Sequence, residues 1–128
     1  MNNYIKSTEL GGRILLALIF VTAGWQKIGG YAGTQAYMES VGVPGLLLPA
    51  VILLELGGGL AIIAGFMTRW VAAALALFRL ASAALFHYNP AEQMQMILFM
   101  KNLAMAGGFA LLLVHGAGPW SLDARRAR

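Results

Sequence analysis

Four apolar helices crossing a lipid bilayer are the fold this sequence predicts, and three observations predict it. First, 59% of its 128 residues are hydrophobic and only 11% are charged, against roughly a quarter charged in a soluble domain. One soluble core of this size could not hide so much apolar side chain, so the excess faces lipid. Second, the apolar residues fall into four runs, each close to the ~20 residues that a spanning helix needs. Third, those runs are apolar nearly all round, which disfavours amphipathic surface helices. They also lack the period-two alternation of a transmembrane barrel. The length suits a single domain over 1–128.

The first span is expected at about 10–28, with Arg13 and Lys27 close to its ends. This stretch imitates a signal peptide, with Lys6 and Arg13 before an apolar run and small residues at Thr22-Ala23-Gly24. Trp25-Gln26-Lys27 and three further apolar segments follow, so it is read as a span. A polar loop from Gly29 to Gly45 comes next, with a short helix expected around Thr34–Ser40. The second span, about 46–66, sits behind Pro44 and Pro49; proline is tolerated in a first helical turn. Met67-Thr68-Arg69 makes a tight turn into the third span, about 70–87. Asn89-Pro90 is a turn signal. The fourth span, about 94–115, stops at Gly116-Ala117-Gly118-Pro119.

Counting basic residues sets an orientation. The N-terminal end, the second loop and the tail carry Lys6, Arg13, Arg69, Arg125, Arg126 and Arg128, whereas the other side has Lys27, with Lys101 deeper in the fourth span. That bias places both termini in the cytoplasm. Tyr4, Trp25, Trp70, Tyr88 and Trp120 fall near the boundaries, as an aromatic belt would.

Small residues are expected to pack the helices, because lipid tails remove the hydrophobic drive between them. Gly57, Ala61 and Gly65 recur every four residues, Gly58 and Gly59 lie beside them, and Gly107 and Gly108 thin the fourth span. Gly58-Gly59-Leu60-Ala61 resembles Gly107-Gly108-Phe109-Ala110, a faint internal repeat between two helices of the same direction. A phosphate cradle is disfavoured, because the glycines lie mid-membrane and do not open a helix after a strand.

Ionisable residues inside a membrane cost at least ~2.5–3.5 kcal/mol at the centre and should face protein or water. Glu55, Arg79 and Lys101 lie well inside, with Lys27 and His87 nearer the outer surface. At ~1.5 Å per residue, Glu55 and Arg79 reach the same depth, which predicts an ion pair between them. Lys101 lies about one turn outward and is a second candidate partner. Spacing then suits a narrow polar cavity lined by Lys27, Glu55, His87, Lys101 and Asn102. The same charges could equally serve only to fix helix register.

Other chemistry is poorly supplied. The net charge of +4 comes without a basic patch interleaved with aromatics, which argues against nucleic acid. With no cysteine there is no disulfide, thiolate metal site or thiol redox centre. Asp123 falls in the tail, away from His87, so no Ser–His–Asp set forms. His87 and His115 lie near opposite surfaces, too far apart to share a haem. The methionines from Met94 to Met105 read as adaptable packing, not a copper site. No metal site and no independent catalytic set is expected.

At these residues the chain resembles the DoxX family of small bacterial membrane proteins. The likeness runs through Thr22-Ala23-Gly24-Trp25-Gln26-Lys27, Leu54-Glu55-Leu56-Gly57-Gly58-Gly59 and Gly65-Phe66-Met67-Thr68-Arg69. It continues in Leu85-Phe86-His87, Met100-Lys101-Asn102-Leu103 and Ser121-Leu122-Asp123. The resemblance implies a four-helix protein of the bacterial inner membrane. Some relatives belong to membrane oxidoreductase assemblies, so it also implies a redox-linked subunit with a redox-protein partner and quinone as a ligand. Arg79 departs from the family pattern, where a small or hydroxylated residue is expected. Three functions stay open: a non-catalytic subunit of a quinone- or thiol-linked redox assembly, a small-molecule or proton transporter acting as a homo-oligomer, and a membrane scaffold or chaperone.

Overall fold

The computed structural model describes residues 3–87 and 89–126, with His87 by its backbone alone. The expectations for Tyr88, Arg128 and the His87 side chain therefore lie outside the described residues. Four helices are long and apolar enough to span a bilayer: α1 (Asn3–Gly29), α3 (Gly45–Ala64), α4 (Thr68–Phe86) and α5 (Gln93–His115). The short α2 (Tyr31–Ser40) joins α1 to α3, and α6 (Leu122–Arg126) closes the described tail. The residues within each span are mostly outside the core, with no more than 22% of a span's apolar window buried. Leu15, Leu53, Leu77 and Leu111 are all more than 60% exposed, which is the surface that acyl chains cover.

Element ends follow local chemistry. The first helix is already formed at Asn3, the first described residue, well before the apolar run, and the hydroxyls of Ser7 and Thr8 donate to carbonyls one turn back at Asn3 and Tyr4 within that polar turn. The second span stops at Ala64, two residues earlier than its hydropathy suggests. Gly65 adopts φ +74°, the Gly65 N–H donates to Ile62 O, and the Phe66 N–H donates to Ala61 O at 2.8 Å. That paired pattern is a Schellman stop, and it requires the left-handed residue that glycine supplies.

The second and third spans are not uniform α-helix. Leu53–Gly57 in α3 and Ala83–His87 at the end of α4 are π-turns. A π-turn inserts an extra residue and rotates the faces of the helix beyond it. The expected packing stripe needs correction, because the buried face of α3 carries Glu55, Gly58, Gly59 and Ile62. Gly57 is exposed, and a Cβ there would meet only Leu53 of its own helix at 3.6 Å. Gly58 and Gly59 take the contacts instead. A Cβ at Gly58 would lie 3.4 Å from Leu75 of α4, and one at Gly59 would lie 2.8 Å from Val21 and 3.1 Å from the α1 backbone. Gly24 of α1 returns the approach, with Leu56 N at 2.8 Å from its would-be Cβ. Gly65 terminates a helix and Ala61 is half-buried. On α5, Gly108 meets Leu16, whereas Gly107 has nothing within 4 Å.

The core is small: Ala17, Phe20, Ile62, Ala72, Leu75 and Phe109, all fully buried. Phe20 and Phe109 meet edge to face at 5.2 Å and tie α1 to α5. Small residues bring α1 onto α3, and α4 packs extensively along α5.

Candidate functional site

The described ion pairs converge on one carboxylate. Glu55 lies ten residues from the start of α3 and nine from its end, inside the π-turn, and is 1% exposed. Its Oε1 accepts from Lys27 Nζ at 2.6 Å, and Arg79 Nη2 lies 3.7 Å from its Oε2. Arg79 Nη1 also donates to Asn102 Oδ1 at 3.3 Å, and the guanidinium sits 4.2 Å over the Phe20 ring. Four helices therefore hold the cluster: α1 brings Lys27 and Phe20, α3 Glu55, α4 Arg79 and α5 Asn102. Two cations face one anion, so the cluster carries one surplus positive charge.

Beside it lies a cavity of about 350 Å3 whose wall is mainly apolar. Lys27, Glu55 and Arg79 supply its charges, and Thr34, Tyr37 and Ser82 its neutral polar groups. Val51, Phe78, Leu85 and Phe86 are among its apolar residues. The cavity runs from mid-membrane toward α2, on the side away from the termini. Tyr37 of α2 stacks on Phe86 of α4 with ring centres 5.6 Å apart, and both rings line the cavity. Gln35 Nε2 donates to Gly45 O at 3.3 Å and pins α2 to the start of α3. Both π-turns contribute wall residues, Glu55 from one and Leu85 and Phe86 from the other.

The predicted lining needs correction. Lys101 is exposed and lies with Gln93, Met96, Met100 and Ala104 on a shallow outer surface of α5. Neighbours on a helix point ~100° apart, and it is Asn102, 3% exposed, that turns inward. Asn102 itself does not line the cavity; it reaches the cluster through Arg79. Helix spacing within the spans does not reveal Tyr37 and Thr34 of α2. A tyrosine within a short helix in the 17-residue polar loop is the signal that marks them.

A second polar cluster lies at the end where both terminal segments meet. Arg13 is 2% exposed; its Nη1 donates to Ile62 O at 3.2 Å and its Nη2 to Trp120 O. Asp123 accepts from the Met67 N–H at 2.7 Å and the Thr68 N–H at 2.8 Å. It thus caps α4 from 55 residues away, while its own N–H donates to Gly65 O at 2.8 Å. Partial burial pushes the Asp123 carboxyl up. The two amide hydrogen bonds and the nearby Arg126 charge outweigh that and hold it below the usual carboxylate range. The Gly65–Arg69 and Ser121–Asp123 segments, distant in sequence, are thus one structural unit. Among the described residues no group of histidines and acids could hold a metal ion.

Four spanning helices around a buried carboxylate that bridges two cations define a small polytopic membrane protein with a polar interior site. The chain belongs to the DoxX family, whose sequence profile matches residues 9–88. It is 58% identical to inner membrane protein YqjF of Escherichia coli over 114 residues, covering 89% of this chain and 88% of the relative. It is 38% identical to inner membrane protein YphA of the same organism over 120 residues, covering 88% of this chain and 86% of the relative. A shorter likeness, 33% over 75 residues and 56% of each chain, links it to the Bacillus subtilis protein named "Putative oxidoreductase CatD". No solved structure matches it. The chain is an inner-membrane protein.

Proposed function

We propose that this chain is a non-catalytic membrane subunit of a redox assembly, and that its mid-membrane cavity receives the headgroup of a quinone. One observation carries the reading: a largely apolar cavity of about 350 Å3 whose charged groups are Lys27, Arg79 and the carboxylate between them. Pockets of this size suit ligands with an apolar body and a few oriented polar contacts. The residues fit such a group. An ammonium offers three donors and a guanidinium five, so Lys27 and Arg79 keep donors to spare beyond Glu55 and Asn102. Lys27 and Arg79 would hold a carbonyl oxygen. Glu55 fixes the ammonium by its short hydrogen bond, and Phe20 and Asn102 fix the guanidinium. A bound quinone would supply two-electron, two-proton redox chemistry. The name of the Bacillus relative supports a redox setting.

The test is binding of a short-chain quinone to the protein in nanodiscs, followed by tryptophan fluorescence. Saturable quenching in the wild type, weakened in Lys27→Met, is expected. Absence of saturable quenching, together with no quinone in solvent extracts of the native membrane complex, would discard the proposal.

The same framework carries our proposed orientation, with both termini in the cytoplasm. Lys6, Arg69, Arg125 and Arg126 gather at the terminal end, and Lys27 lies toward the other. Reporter fusions after Arg126 and within 89–92 decide it.

A further inference from the structure

Away from the ion cluster, a more polar pocket of about 560 Å3 opens at the end where the termini meet. Three short segments build it: Met67–Trp70 at the start of α4, the glycine-rich turn after α5, and α6 with the residue before it. Its charged groups are Arg69, Asp123 and Arg126, joined by His115. The carboxylate is already committed, since both Asp123 oxygens accept backbone amides. Among the described residues neither Arg69 nor Arg126 forms an ion pair. Two guanidinium groups thus share the pocket with one carboxylate, which leaves it a net positive charge.

Both are positioned by packing. The Arg69 guanidinium lies against Gly116, where a Cβ would come within 3.2 Å of its Nε. Gly116 has φ +77°, so the turn both demands glycine and leaves the space that Arg69 occupies. Arg126 lies 5.5 Å over the Phe66 ring. Trp70, 77% exposed, also lines the pocket, and the partly exposed Trp120 belongs to the same end. Tryptophans of this kind sit at headgroup level in a bilayer.

A planar guanidinium recognises phosphate through paired N–H donors, and basic pockets at the ends of spanning helices take lipid headgroups. We propose that this pocket binds the phosphodiester headgroup of an anionic phospholipid. The position fits a lipid better than a soluble anion: the polar opening sits at the ends of the helices, directly above the acyl-facing surfaces of α4 and α5.

The experiment is native mass spectrometry of the full chain released from vesicles of equal phosphatidylglycerol and phosphatidylcholine. Inorganic phosphate at matched concentration forms a separate arm. The wild type is expected to retain phosphatidylglycerol selectively. Arg69→Gln/Arg126→Gln should weaken that retention about tenfold or more, the loss of at least one charge-assisted contact. Arg125→Gln, outside the pocket, should change nothing. Arg126→Gln alone, on an exposed turn, gives an intermediate loss and does not put folding at risk. Equal retention of both lipids by wild type and double variant would overturn the proposal. So would inorganic phosphate binding as strongly as the lipid, since the pocket would then serve a soluble anion.

Discussion

Glu55 is the residue whose removal should cost most. Replacing one partner of a buried ion pair typically costs about 3–5 kcal/mol, because the remaining charge is left unpaired. Glu55→Gln leaves two cations. Lys27 is 27% exposed and can turn its ammonium outward along its flexible stem. Arg79 is 11% exposed and keeps only Asn102 and the Phe20 face. The loss is therefore expected at the lower end, about 3 kcal/mol. Lys27→Met is milder, about 1–2 kcal/mol, since Arg79 still faces the carboxylate. If Lys27 and Glu55 act as a pair, the double variant falls short of the summed losses by about 1.5 kcal/mol. Unfolding in mixed micelles of a mild detergent and dodecyl sulfate measures all three. Additivity within about 0.5 kcal/mol would refute the reasoning, because the 2.6 Å contact would then carry no coupling.

Asp123→Ala should destabilise by about 1 kcal/mol through loss of the α4 cap, a figure already reduced for solvent screening. The same carboxyl gives an acid limb. Its lowered folded value means its contribution is fully present above the ordinary carboxylate range and is lost as pH falls through that lowered value; in Asp123→Asn the acid limb of a stability–pH profile should flatten. Gly59→Ala forces a Cβ to 3.1 Å from the α1 backbone and should cost about 1–3 kcal/mol. Gly57→Ala meets only Leu53 of its own helix, at an ordinary contact distance of 3.6 Å, and should be neutral or gain up to ~1 kcal/mol of helix propensity. Thermal melts of the two variants in one detergent compare them directly, and equal losses would contradict the packing described.

Much of the architecture is legible in the chain alone. The number of spans, their rough positions and the short helix in the first long loop come from hydropathy and turn residues, which are local properties. That Glu55 must find cations is also legible, because the cost of an unpaired charge in hydrocarbon does not depend on the fold. What hydropathy misjudges are the ends, where a polar turn stays helical at Asn3 and a left-handed glycine stops α3 early.

The site itself is legible only in part. Lys27, Glu55 and Arg79 stand out as charges in apolar runs, yet ideal 3.6-residue spacing does not distinguish which of Lys101 and Asn102 turns inward. The four-residue recurrence of Gly57, Ala61 and Gly65 also misleads, because the buried face of α3 is the one that carries Glu55, Gly58, Gly59 and Ile62, and Gly57 faces out. Tyr37 joins the cavity through a loop helix whose docking no periodicity encodes. Arg13 and Asp123 look like flanking charges and are instead bonded to backbone groups far along the chain. By itself, then, the order of residues determined that four helices cross the membrane and that few charges lie within them. Only the folded bundle decided which of those charges meet, because partners are chosen by helix rotation and close approach between segments that are distant in sequence.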